Sequence, residues 1–268
     1  MNIDQEESTQ TPSDIELSYC RAAIYSALAL GFQAPTDETL SRLTTPDSKN
    51  SLVSAAAMLY ADHAPDIIEA IVALPTWGND AAANFAAQHG ALFGHSARGA
   101  ISPYETEYGN EALFQQPQEL ADLLGIYRAF GLAVRRESHE RPDHISCEFE
   151  FMMFLALKEA YALEHCDPEM AGETRKAEKI FLSERLGRFL PAFAVQLQRE
   201  DSRGFYSRLG ELARRFVGAE AQRLQITLGA VNLGLRPADD NRVPMACGNG
   251  TECAAMAGTG SIEEEESL

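Results

Sequence analysis

The stretch PDHISCEFEFMMFLALKEAYALEH, residues 142–165, decides the fold. Ile145, Phe149, Met152, Ala156 and Leu163 recur on one side at helical spacing. Phe151, Phe154 and Leu155 carry the apolar surface round most of the circumference, the pattern of a helix central to its bundle. Pro142 suits the first turn of a helix over 142–165, where its missing N–H has no intrahelical acceptor to lose. Asp143 at the same end is favoured by the helix dipole. His144 and Glu148 stand four apart, so the spacing predicts that they share a face and meet. Such a contact favours the imidazolium, while the helix N-terminus opposes it. Two readings fit this mouth. Either Asp143 caps and His144 is a boundary residue, or the pair is a functional site.

Outward from this segment, helical signals follow one another along the chain. Ser13 or Asp14 can cap a helix to about Leu30, closed by Gly31 and followed by Pro35. Further helices are predicted over 37–43, 51–63, 65–74, 79–93, 117–134, 170–186, 188–200 and 204–227. Residues 94–114, GHSARGAISPYETEYGNEALF, break the pattern and read as a long ordered loop, a class of segment that is more often functional than accidental. RRESHERP at 135–142 has no large apolar side chain and reads as a polar hinge. The expectation is all-α: a bundle of about ten helices in two subdomains, 14–134 and 143–236, joined at 135–142. Residues 1–13 and the acidic tail 237–268 are expected to be disordered.

The chain has 268 residues and a formal net charge of −18. Five acids and no base in residues 1–16, and seven acids against one base in 237–268, leave about −7 for the body. So acidic a chain repels phosphate backbones, which argues against nucleic acid and anionic membranes and suits a cationic partner. No Lys or Arg precedes Arg21, so the apolar stretch after it fails as a secretory signal. The run FMMFLAL at 151–157 is far short of the roughly 20 residues of a membrane span. Five irregularly spaced cysteines do not read as a disulfide framework, and a cytoplasmic location is predicted.

A carboxylate/His-based small-molecule enzyme is one function class these residues allow, with Glu105, Glu107, Asp143, His144 and Glu148 as acid–base candidates. GxSxG and Walker patterns are missing, and GHSARGA lacks the lysine of a phosphate loop. A metal-binding helical protein is another, yet neither Glu-x-x-His pairs nor a second Cys pair complete a site. Cys247 and Cys253 in the Gly-rich tail read as mobile thiols, and no cofactor or metal is predicted.

The string ExPDHIxxExxFM, carried by Glu140, Pro142, Asp143, His144, Ile145, Glu148, Phe151 and Met152, resembles the signature of the TorD/DmsD family, more distantly NarJ. SPYETEYG at 102–109 resembles the family's Pro-Tyr/Trp-x-Ser-x-Tyr loop. LLGIYRAFGLAV at 123–134, FLSERLGRFLPAFAVQL at 181–197 and FYSRLGELARRFV at 205–217 agree in order, so the likeness spans roughly 14–228. Departures are Arg185 where the family often has His, Phe189 where it often has Trp, Thr106 for Ser, the additional acid Glu107, and the cysteine tail. The resemblance implies a non-catalytic cytoplasmic chaperone of molybdenum-cofactor oxidoreductases. It would bind the twin-arginine signal peptide of an immature catalytic subunit and withhold export until the cofactor is inserted. It also implies that the 102–109 loop folds against the hinge, bringing both motifs to one cleft, and that the chain is a monomer or a homodimer formed by exchange of halves.

A peptide with an Arg-Arg end and an apolar stretch needs carboxylates beside a hydrophobic groove. Asp143, Glu148, Glu105 and Glu107 are the candidate carboxylates, with Pro142 and His144 beside them and Tyr104, Tyr108 and Trp77 as candidate apolar lining. Core packing is the competing role for the three aromatics. If the loop is extended, Glu105 and Glu107 point to opposite sides and only one reaches the cleft.

Overall fold

Side-chain caps set the helix starts in this computed structural model, which describes residues 12–60, 62–75, 81–94, 99–109, 115–134 and 140–236. Ser13 caps α1 (Asp14–Phe32) in a reciprocal box with Glu16: its oxygen accepts from the Glu16 N–H, and the Glu16 carboxylate accepts from the Ser13 N–H at 2.8 Å. Thr36 caps α2 (Asp37–Thr44). Thr45 caps α3 (Pro46–Leu59), whose first residue is a proline. The remaining helices are α4 (Ala64–Ala73), α5 (Ala81–Phe93), α6 (Gln116–Ala129), α7 (Ile145–Glu164), α8 (Pro168–Phe181), α9 (Gly187–Glu200) and α10 (Phe205–Leu224). Helices α8 and α9 run on through a π-turn at Leu182–Leu186. Ten α-helices, two isolated β-bridges and no strand occur among the described residues, so the all-α reading holds.

Segment α7 is central, as its pattern predicts. Ile145, Phe149, Phe151, Met152, Leu155, Ala156, Ala160 and Ala162 are all buried. Its broadest neighbour is α1, with α8 along another side. Phe149 stacks on Phe32 at 6.0 Å, and Phe151 meets Phe181 edge-on at 4.6 Å. Each large apolar side chain buried here contributes about 1.5–3 kcal/mol, which outweighs any helix propensity. The chain up to Arg236 clusters as one compact unit, with α4 on α10 as well as α1 on α7. Residues 135–139 of the expected hinge, the N-terminal residues 1–11 and the tail from 237 lie outside the described residues.

Several boundaries differ from the sequence reading, and three of them bear on the site or the core. The helix expected from 142 begins at Ile145, so Pro142 and Asp143 stand outside it and His144 is its cap. Helix α6 ends at Ala129 and not near 134, because Gly131 turns left-handed (φ 75°) and Leu132 N–H returns to the Tyr127 carbonyl. Gly31 does not stop α1 but lies within it. A Cβ there would stand 2.6 Å from Leu209 Cδ2, so the glycine lets α10 approach.

Candidate functional site

The loop from Ile101 to Gly109 is pinned between the start of α7 and the segment after α10. Glu105 N–H donates to the Asp143 carbonyl and Ile145 N–H to the Pro103 carbonyl, each at 2.9 Å, forming the Tyr104–His144 bridge. Farther along, Gly109 N–H donates to the Gly234 carbonyl and Arg236 N–H to the Glu107 carbonyl. The two motifs therefore form one locus. It has a buried layer and a half-exposed layer.

In the half-exposed layer Arg141 is the hub. Its Nε and Nη2 donate to the two carboxylate oxygens of Asp143 at 3.0 and 2.8 Å, and Nη2 donates also to Thr106 Oγ1 at 2.9 Å. Nη1 reaches Glu107 at 3.2 Å, and the guanidinium carbon stands 4.3 Å from the centre of the Tyr104 ring. Asp143 itself is fully buried and accepts from both the N–H and the hydroxyl of Thr106, at 3.2 and 2.7 Å. Pro142 is half-buried beside them, its carbonyl accepting from the Tyr127 hydroxyl at 2.9 Å.

His144 is buried. Its Nδ1 accepts from the Ser146 N–H at 3.2 Å and lies 2.7 Å from the Ser146 hydroxyl, so the proton of the neutral ring is on Nε2, which faces Glu140 at 3.9 Å. Loss of hydration pushes its pKa down to about 3, and electrostatic repulsion from His89 and Arg141 adds to the effect. The predicted contact with Glu148 is not made, because His144 serves as the cap and turns its ring back to Ser146. Burial therefore favours the neutral ring, and the contest between helix dipole and Glu148 carboxylate that the spacing suggests does not arise.

Beneath lies a pair of carboxyls. Glu105 is ion-paired to Arg188 at 3.1 Å and to Arg185 at 3.8 Å. Glu148 is fully buried, and neither of its oxygens accepts a hydrogen bond from a donor among the described residues. Burial raises its pKa well above the ordinary carboxylate value, reinforced by the charges of Glu105 and Asp143. Burial raises Glu105 as well, against the opposing pull of Arg188 and Arg185. A protonated Glu148 donating to the Glu105 carboxylate satisfies both groups. Tyr108 is core: its hydroxyl donates to the Ser102 carbonyl at 2.8 Å and its ring packs 5.3 Å from Phe189.

The sequence reading expects these carboxylates beside an apolar groove; among the described residues Glu105, Glu107 and Asp143 are ion-paired to arginines of the same chain, and Glu148 is buried without such a partner. Glu105 and Glu107 do diverge, but through a 3-10 turn and not an extended strand, with Glu105 inward to Arg188 and Glu107 outward to Arg141. Trp77, Cys247 and Cys253 lie outside the described residues. Sequence reasoning missed Arg141, Arg188 and Arg236, the last nearly fully buried and ion-paired to Glu119 at 2.7 Å. For the first, the available signal was an arginine two residues before the aspartate of the PDH string. Among the described residues, no cluster of three or more His, Cys, Asp or Glu is spaced to hold a metal, and no helix is long and apolar enough to cross a membrane.

The sequence model of the nitrate reductase delta subunit family matches residues 55–195. A chaperone protein TorD of Vibrio cholerae serotype O1 is 31% identical over 140 residues, which is 52% of this chain and 61% of that protein. A perchlorate reductase assembly chaperone protein of Dechloromonas aromatica is 31% identical over 116 residues, 43% of this chain and 50% of that one. A TorD from another V. cholerae O1 strain is 28% identical over 201 residues, 74% of this chain and 88% of that protein. The first two matches thus span only about half to three-fifths of the relatives' own lengths.

Proposed function

The chain belongs to the nitrate reductase delta subunit family, of the NarJ/TorD type, and from that premise we propose that it is a maturation chaperone for the catalytic subunit of a molybdenum-cofactor reductase. In this reading it works in the cytoplasm and performs no catalysis. It holds the immature subunit, binds its twin-arginine signal peptide, and delays export until the cofactor is in place.

The observation that carries the reading is the set of groups around Asp143. A buried carboxylate, a second carboxylate on Glu107, the Thr106 hydroxyl and the face of Tyr104 enclose a planar guanidinium. Two-point hydrogen bonding to a carboxylate and stacking on an aromatic ring both favour arginine over lysine. A carboxylate-dense protein whose surface contains an arginine socket suits a leader whose mark is a pair of arginines. Names of relatives that assemble reductases point the same way.

Calorimetry with a peptide bearing Arg-Arg followed by an apolar stretch, against its Lys-Lys counterpart, tests the reading. Tighter binding of the arginine peptide, weakened by salt, is expected. Equal binding of both removes the arginine-specific role. Affinity isolation of the tagged chain from its own cells identifies the client. Recovery of a molybdenum-containing subunit that still carries its leader supports the chaperone reading, and turnover of a small metabolite by the purified chain would replace it with the carboxylate enzyme.

A further inference from the structure

The geometry points to Arg141 as a built-in placeholder: it occupies an arginine-recognition socket that the partner's arginine takes over by displacing it. This rests on the signal-peptide reading above and deepens it by assigning a regulation to that same site. Four observations carry it. Asp143 is fully buried while about a third of the Arg141 side chain remains exposed, so it is the occupant and not the socket that faces solvent. Asp143 keeps two hydrogen bonds from Thr106 when the guanidinium leaves, and a guest guanidinium restores the rest. The occupant engages all the socket's features at once, with a two-point bond to Asp143, single bonds to Thr106 and Glu107, and the Tyr104 ring over its face. Finally, Arg141 is only two residues from Asp143, so rotation of its own side-chain torsions vacates the site without moving the backbone that Tyr104 and His144 share.

A tethered occupant changes selectivity. It competes at a high effective concentration, so a stray surface arginine with no other contact loses. A leader that also buries an apolar stretch binds strongly enough to displace it. Its measured affinity is then the intrinsic affinity reduced by the fraction of molecules with an empty socket. Release of Arg141 also places a cation at the rim, where it repels a second basic ligand.

The test titrates an Arg-Arg peptide with an apolar stretch into wild type, Arg141→Ala and Arg141→Ala/Asp143→Asn by calorimetry. Emptying the socket is expected to tighten binding by about tenfold or more, and the added Asp143→Asn change to abolish that gain. If the peptide binds Arg141→Ala no tighter than wild type, Arg141 is a fixed brace and the placeholder is overturned, while signal-peptide binding stands. If neither protein binds the peptide, the parent reading falls and this one with it. Should the alanine variant fold poorly, the wild-type chain still decides. The Nε–H resonance of Arg141, assigned with Arg141→Lys, is expected to move to a free-guanidinium position on adding the Arg-Arg peptide but not the Lys-Lys one. A resonance that stays put under saturating arginine peptide overturns the proposal.

Discussion

At His144 the fold holds a neutral ring where water would let it charge. A pKa of about 3, against an ordinary 6.5, means that the unfolded chain takes up a proton the native one refuses. Stability from this residue is present above pH 6.5 and is lost as pH falls toward 3, on the order of 4 kcal/mol across the window. His144→Asn retains a side-chain oxygen for the Ser146 N–H and removes the titration. Urea denaturation from about pH 7 down to pH 4 should therefore show a shallower decline for the variant; equal slopes would mean that His144 does not carry the acid sensitivity. Glu148 acts in the other direction. Its raised pKa, set by burial and by the facing carboxylates of Glu105 and Asp143 against the opposing charge of Arg185, makes the native chain the better proton binder. Its contribution is complete below the ordinary value of 4.5 and declines as pH rises. Glu148→Gln should flatten that decline, gaining on wild type in a melting series between about pH 5 and pH 8. A variant that loses ground as pH rises would mean Glu148 is charged in the native state.

The elements were legible to the degree that their signals are local. Apolar periodicity finds the ten α-helices of the described residues, because it reports which face each one buries. Capping chemistry narrows the start of α1 to Ser13 or Asp14, and the structure selects Ser13; Thr45 and Pro46 carry the same kind of signal for α3, while apolar periodicity marks that helix only from farther on. What resisted reading is set by contacts between distant residues. Nothing local in ERPDH shows that Asp143 bonds to Thr106, and nothing local around Gly31 shows that Leu209 packs against it. Four of the departures from the family pattern, Thr106, Glu107, Arg185 and Phe189, scatter along the sequence yet meet around the loop and α7: Thr106 at Asp143, Glu107 at Arg141, Arg185 at Glu105 and Phe189 at Tyr108. The π-turn is equally illegible, although it sets Arg185 and Arg188 over Glu105. Gly187 closes it, and a Cβ there would collide with the Leu182 carbonyl oxygen, a backbone atom that cannot swing away. Gly187→Ala is expected to cost about 2–3 kcal/mol in chemical denaturation. Gly172→Ala, on the exposed face of α8 with open space around it, should instead gain about 0.5–1 kcal/mol. Indistinguishable effects would remove the steric case for the turn.

Across the whole molecule, a second ionic cluster, built from side chains other than those of the motif loop, ties the helices together. Glu159 of α7, Glu178 of α8 and Glu220 of α10 are buried around Arg21 of α1. Arg175 joins Glu159, and the hydroxyls of Tyr25 and Tyr60 donate to Glu220. Arg223 closes the set, donating to both oxygens of Glu220 at 3.0 and 2.9 Å and to Glu178 at 2.7 Å. Burial opposes its charge, and the pairing with Glu220 and Glu178 more than offsets this, raising its pKa. Such a cluster is weak evidence for net stability, since apolar residues of equal volume can do as well. Breaking it from one side is another matter. Arg223→Met leaves Glu178 and Glu220 short of a counter-charge in the interior, and a loss of about 3–5 kcal/mol is expected in chemical denaturation. Arg214→Met, two and a half turns earlier on an exposed face and ion-paired to Glu211, should change stability by less than about 1 kcal/mol. The comparison bears on function too. Because the cluster does not share a side chain with the Arg141 socket, the folded fraction of the Arg223→Met variant should bind the Arg-Arg peptide with wild-type affinity. A parallel fall in binding and stability would mean that the clamp between helices also shapes the loop, and that the two ionic networks act as one.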